Sequence, residues 1–157
     1  MKIAIGCDPN ASTLKQELIE ELTELGHDVT DMGADDPVYA NVVFRVGEAV
    51  ADGRFERGVV LCGTGIGASI AANKVPGVYC ALVTDAYQAE RAALSNNANV
   101  IALGAQVTGV KAGRLLVRTY MENAYVPGGR SEPKIRRIAE YAAVHTTPAP
   151  GDPPRAE

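Results

Sequence analysis

Residues 58–74 read Gly-Val-Val-Leu-Cys-Gly-Thr-Gly-Ile-Gly-Ala-Ser-Ile-Ala-Ala-Asn-Lys, and few local structures accommodate them. The apolar run 59–61 predicts a fully buried strand. A thiol, Cys62, follows at its end, and then a Gly-Thr-Gly-Ile-Gly turn opens a small-residue helix that runs to about Asn73. A strand that ends in a glycine-rich turn and starts a helix leaves backbone N–H groups without intrahelical partners, so it can receive a negative charge.

The flanking sequence alternates strand and helix patterns. Residues 2–7 predict a first buried strand, followed by a helix capped by Asn10 or Ser12, with Leu14, Leu18, Ile19, Leu22 and Leu25 on its inner face and Gly26 as its stop. Residues 27–32 predict a second strand. Residues 39–51 predict a helix with Val42, Val43, Val46, Ala49 and Val50 inward, closed by Gly53. After the central strand and its helix, residues 78–83 predict a fourth strand. Asp85 then caps a helix over 86–94, with Gln88 as the return partner of a capping box. Residues 99–103 predict a fifth strand, and residues 109–123 a helix that carries Val110, Leu115, Leu116 and Tyr120. Ser131 caps a last helix over 132–143. The proline-rich remainder, 144–157, predicts a mobile tail beyond a single domain over 1–143.

Alternating strands and helices imply parallel strands with right-handed crossovers. The expected fold is an α/β, Rossmann-like three-layer α/β/α sandwich with a five-stranded parallel sheet. In such sheets ligands bind beyond the carboxyl ends of the strands, at the point where strand order reverses. The residues at those ends are Asp8, Cys62, Thr84, Asp85 and Gly104.

Composition narrows the function classes. A net charge of −4 over 157 residues and a pI near 5.2 argue against nucleic acid as partner. No apolar run is long enough to span a bilayer, and the first residues read as a strand rather than a signal peptide. Three cysteines without metal-type spacing, with only His27 and His145 beside them, give no metal site and fit reduced thiols in a cytoplasm. The turn matches neither the nucleotide P-loop nor the dinucleotide fingerprint.

Taken alone, Cys62 reads equally well as a small core residue. Its neighbours favour chemistry. The thiolate is the useful form, a helix start favours it, and a base beside N–H donors suits proton abstraction next to a carbonyl. Cys7 and Cys80 have no glycine-rich sequel and read as core. Asp8 reads equally as a cap and as a site residue, Asp85 as a cap and Tyr39 as packing. Arg130, Lys134 and Arg137 share one helical face, either a solvated basic face or a phosphate clamp.

Residues 59–74, with thiol, glycines, Asn73 and Lys74 in register, closely resemble the ribose-5-phosphate isomerase B / galactose-6-phosphate isomerase family. Weaker likeness extends over 1–138, through Gly6-Cys7-Asp8, residues 96–100, Leu103-Gly104 and Gly128-Gly129-Arg130. The resemblance implies a cofactor-free aldose–ketose isomerase, dimeric or tetrameric, with its site at a subunit interface. Cys62 would be the base that moves a proton between the first two sugar carbons, and Thr64 would assist proton delivery. The N–H groups of Gly63, Gly65, Ile66 and Gly67 would hold an enediolate oxygen. Asp8, Asp36 and Asn96 would meet sugar hydroxyls, and Arg130 and Lys134 would hold the phosphate. The chain departs from the family pattern at several points. Pro9, Ser95 and Ser131 stand where the family has histidines, Gln106 where it has a phosphate-binding arginine, and Asp36 where it has a tyrosine. The position for opening a sugar ring, Ser95, has no group that titrates near neutrality. The expected substrate is therefore one with an accessible carbonyl, such as a short open-chain sugar phosphate. A non-catalytic partner subunit or sugar-binding protein is the alternative.

Overall fold

A computed structural model describes residues 1–144, in two compact units, Met1–Val126 and the residues from Pro127 on. The proline-rich tail expected from 144 on falls, beyond Val144 itself, outside the described residues. The first unit is built on strands β1 (Lys2–Cys7), β2 (Asp28–Asp31), β3 (Arg57–Cys62), β4 (Cys80–Leu82) and β5 (Val100–Gly104). Its helices are α1 (Ser12–Glu24), α2 (Tyr39–Ala51), α3 (Ile66–Ala72), α4 (Ala86–Leu94) and α5 (Val110–Glu122). The second unit carries α6 (Glu132–Val144), none of whose residues is buried.

The sheet is wholly parallel, in the order β2-β1-β3-β5-β4. Successive side chains of a strand point to opposite faces. In β3, Val59 and Leu61 enter a core built with α1, α4 and α5, whereas Val60 and Cys62 enter one built with α2 and α3. This is the expected three-layer α/β/α arrangement. Strand order reverses between β1 and β3. The chain leaves β1 for α1 on one face and β3 for α3 on the other, so the two carboxyl ends open a crevice between them. Asp8 and Cys62 stand at its two sides, joined by the Asp8 N–H to Leu61 carbonyl bond of 2.9 Å.

Local chemistry accounts for the element ends. α1 stops in a Schellman turn: Gly26, at φ 80°, donates to the Thr23 carbonyl and His27 to that of Leu22. Its start differs from the expected Asn10 or Ser12 cap. A single 3₁₀ turn, Pro9–Ala11, precedes it, and the Asp8 carboxylate caps that turn by accepting the Asn10 N–H at 2.8 Å. Pro9 fits the first position of the turn because that N–H has no helical partner. Asp85 caps α4 as expected, accepting the Gln88 N–H at 2.9 Å. Gln88 does not return to Asp85, however. Its side-chain oxygen accepts from the Thr84 N–H and hydroxyl, one residue earlier. In α5, Leu116 and Tyr120 are buried, while Val110 and Leu115 face outward. β2 and β4 are shorter than the expected 27–32 and 78–83, and both are edge strands with one neighbour each.

Asn73 ties the site helix to the sheet. Its amide donates to the Ser69 carbonyl at 2.9 Å and the Cys80 carbonyl at 2.8 Å, and its oxygen accepts the Cys80 N–H at 2.9 Å. One side chain thus joins the end of α3 to the start of β4. Asn73→Ala removes all three bonds and should lower stability by about 2 kcal/mol. Urea denaturation followed by circular dichroism checks this, and an unchanged midpoint would show that the bracket contributes nothing.

Candidate functional site

β3 delivers Cys62 to the carboxyl edge of the sheet, where it is 5% exposed. The chain then turns sharply over the end of β5. A Cβ at Gly104 would lie 2.5 Å from the Thr64 carbonyl oxygen and 2.8 Å from its Cα, so only glycine lets the turn pass. Gly65 is in the left-handed region at φ 78°, and a Cβ there would lie 2.6 Å from Leu82 Cδ1 and 2.9 Å from the Leu103 carbonyl carbon. These two glycines close the loop back on the thiol. The Gly65 N–H then donates to Cys62 Sγ at 3.2 Å, and the Ile66 N–H to Thr64 Oγ1 at 3.4 Å. Thr64 and Ile66 are exposed at the mouth.

The other two thiols differ in kind. Cys7 is fully buried against α1, and burial raises its pKa above the ordinary value despite Lys15 nearby. Cys80 is pushed up to about 12, again by burial, with a hydrogen bond to Ser69 opposing it. Neither has an N–H aimed at its sulfur among the described bonds. Both behave as core residues, as their sequence settings suggest.

Two polar side chains flank the loop. The Gln106 carboxamide lies over Gly63, where an added Cβ would meet its carbon at 3.3 Å, and the Gln106 N–H donates to the Gly63 carbonyl at 2.8 Å. Tyr39, at the start of α2, reaches Gly67. A Cβ at Gly67 would overlap the Tyr39 hydroxyl and lie 2.9 Å from the ring carbon that bears it. The importance of Gly104, Gln106 and Tyr39 lies in contacts across the fold, which sequence spacing does not reveal.

The remaining expected site residues fall into three groups. Asp8 stands across the crevice from Cys62, and its cap on the 3₁₀ turn uses the Oδ1 atom. Asp36 lies in the loop before α2 and closes a local turn there. Its Oδ1 accepts the Val38 N–H at 2.8 Å and its Oδ2 the Asn41 amide at 3.0 Å. These bonds, from Asn41 first and Val38 second, hold its carboxyl below the usual carboxylate range. Asn96 is not brought to Cys62. It follows α4 and precedes β5, with its amide donating to the Arg91 carbonyl, whereas Cys62 pairs with Gly104 at the far end of β5. The five residues of β5 separate them by roughly 15 Å. Ser95, on the same turn, spends its hydroxyl on the Arg91 carbonyl. Arg130 and Lys134 belong to the second unit. Both are exposed there, and neither has an ion pair among the described residues, while Arg137 pairs with Glu140.

The Ribose/Galactose Isomerase family model matches residues 3–138. The chain belongs to this family. It is 42% identical over 145 residues to the D-erythrulose-4-phosphate isomerase of Pectobacterium atrosepticum, covering 90% of this chain and 95% of that one. It is 39% identical over 143 residues to the Ribose-5-P isomerase B of Listeria innocua, covering 89% and 96%. Among solved structures, Clostridium thermocellum Ribose-5-Phosphate Isomerase B superposes with a TM-score of 0.85 at 38% identity, over 91% of this chain and 98% of that one. The chain is accordingly an isomerase, and the expected family and fold both stand.

The loop geometry gives a direct test. Gly104→Ala must displace Thr64, and a misplacement on the order of 1 Å at a reacting group costs about 100-fold in rate. The isomerase kcat/KM of this variant should fall by about that factor. A fall of less than threefold would show that the loop can shift without consequence.

Proposed function

We propose that the protein interconverts an aldose and a ketose by proton transfer through Cys62, and that its substrate is an open-chain, four-carbon sugar phosphate of the erythrulose 4-phosphate class. The observation that carries this reading is the Gly65 N–H donated to Cys62 Sγ. This contact fixes the sulfur beside a loop of backbone N–H donors, the pairing of a base with oxyanion donors that proton abstraction next to a carbonyl uses.

Starting from the ketose, the thiolate takes a proton from C1. The C1–H electron pair becomes the C1=C2 double bond, and the carbonyl electrons move to the C2 oxygen. Backbone N–H groups of the 63–67 loop hold that oxyanion. The Thr64 hydroxyl, exposed at the mouth of the loop, relays the proton from O1 to O2. The proton on sulfur returns to C2 and gives the aldose. Atoms and charge balance with no external reductant or oxidant.

The substrate class follows from what the chain lacks. Ribose 5-phosphate closes a five-membered ring through its free C4 hydroxyl, and opening that ring needs an acid–base group. In a tetrose or tetrulose whose C4 oxygen carries phosphate, no hydroxyl remains that could close such a ring. Ser95, bonded to a helix carbonyl, offers no acid–base group, and a substrate of this class needs none. The similarity to an erythrulose-4-phosphate isomerase supports the same choice.

The active form is a homodimer or homotetramer with the site at a subunit interface. The position of Asn96 supports this, because the sheet separates it from Cys62 within one chain and a second copy can supply it. Arg130 and Lys134 hold the phosphate. The free thiols fit a reducing cytoplasm.

Wild-type protein should turn over D-erythrulose 4-phosphate at least tenfold faster than ribose 5-phosphate. Cys62→Ala should lower kcat by about 1,000-fold, within the usual range for a general base. Faster turnover of ribose 5-phosphate would overturn the substrate assignment, and a loss below tenfold in Cys62→Ala would overturn the base.

A further inference from the structure

We propose that the Tyr39 hydroxyl, held against Gly67 at the end of the Cys62 loop, hydrogen-bonds the C3 hydroxyl of the substrate and sets which C3 configuration the site accepts. This deepens the reading above and rests on it.

Tyr39 opens α2, the helix that packs beside α3. Its ring lies half-buried on the core that also holds Cys62 and Ala68. Phenylalanine would provide that packing equally well, so the hydroxyl is surplus to the fold. Its position, however, is bounded closely. The ring and hydroxyl press on Gly67, where any Cβ would overlap the oxygen. Glycine is therefore required at 67 for tyrosine to point where it does. Gly67 also lies at the end of the loop that receives the reacting oxygen.

The hydroxyl makes no hydrogen bond to any described residue. A half-buried phenol keeps its hydroxyl available to solvent or to a ligand. Asp36, three residues earlier, accepts from Val38 and Asn41 instead. An unpartnered donor–acceptor fixed beside a substrate loop is suited to the substrate itself.

The chemistry selects which oxygen. In a four-carbon sugar phosphate, C1 and C2 carry the reacting oxygens, which belong over Cys62 and the loop N–H groups. Two groups remain, the C3 hydroxyl and the C4 phosphate. Phosphate is held by cations. A phenol, which both donates and accepts, matches the alcohol at C3. That carbon is the one stereocentre of the ketose. A site that hydrogen-bonds a hydroxyl rejects the isomer that cannot present it.

The test measures kcat/KM for D- and L-erythrulose 4-phosphate with wild type and Tyr39→Phe. Wild type should prefer one enantiomer. The variant should lose about tenfold on that enantiomer and stay within twofold on the other, so the discrimination ratio falls by about tenfold. General damage to the fold would lower both values together and leave the ratio unchanged. Wild-type turnover with an unchanged ratio in the variant overturns the Tyr39 assignment alone. Absence of wild-type turnover on both enantiomers overturns the four-carbon reading and this assignment with it.

Discussion

The backbone of Thr64 passes over Gly104 with no room for a side chain between them, and the site follows from that close approach. A Cβ at Gly104 would sit 2.5 Å from the Thr64 carbonyl oxygen. With the chain pressed onto the end of β5, Gly65 must take a left-handed conformation, and its N–H then points back to the Cys62 sulfur. A buried thiol that would otherwise be one more small core residue thereby becomes a held acceptor at an open sheet edge. Cys7 and Cys80 lack such a turn, and burial is the largest influence on each.

The surrounding layers hold this arrangement fixed. β3 has strand neighbours on both sides, so its carboxyl end is positioned by two ladders. α3 has only seven residues, too short to be stable by itself. Packing on the second core and the Asn73 bracket to β4 supply what its length does not. Gln106 covers Gly63 and Tyr39 covers Gly67, so each end of the loop meets a polar side chain from another element.

Much of the architecture was legible in the sequence because it depends on local pattern. β1 and α2 have clean apolar periodicities and end where punctuation residues stand. The strand–thiol–glycine order of 58–67 announced a strand, a turn and a helix. Less legible were features set by contacts distant in the chain. The proline at position 9 favours a 3₁₀ turn ahead of α1 and shifts the cap to Asp8, a choice that a simple cap rule does not make. The placement of Asn96 is the clearest case. Its sequence neighbours resemble site residues of the family, yet only the direction of β5 shows that it stands at the opposite sheet edge from Cys62. Tyr39 resembled an ordinary packing residue because nothing within its own helix reveals Gly67.

The central claim is that Cys62 itself moves the proton. The most direct measurement is NMR of D-erythrulose 4-phosphate in deuterated water, following deuterium incorporation at C1 with wild type and Cys62→Ala. The account predicts enzyme-dependent incorporation with wild type and none above the uncatalysed rate with the variant. Incorporation at the wild-type rate by Cys62→Ala would contradict it.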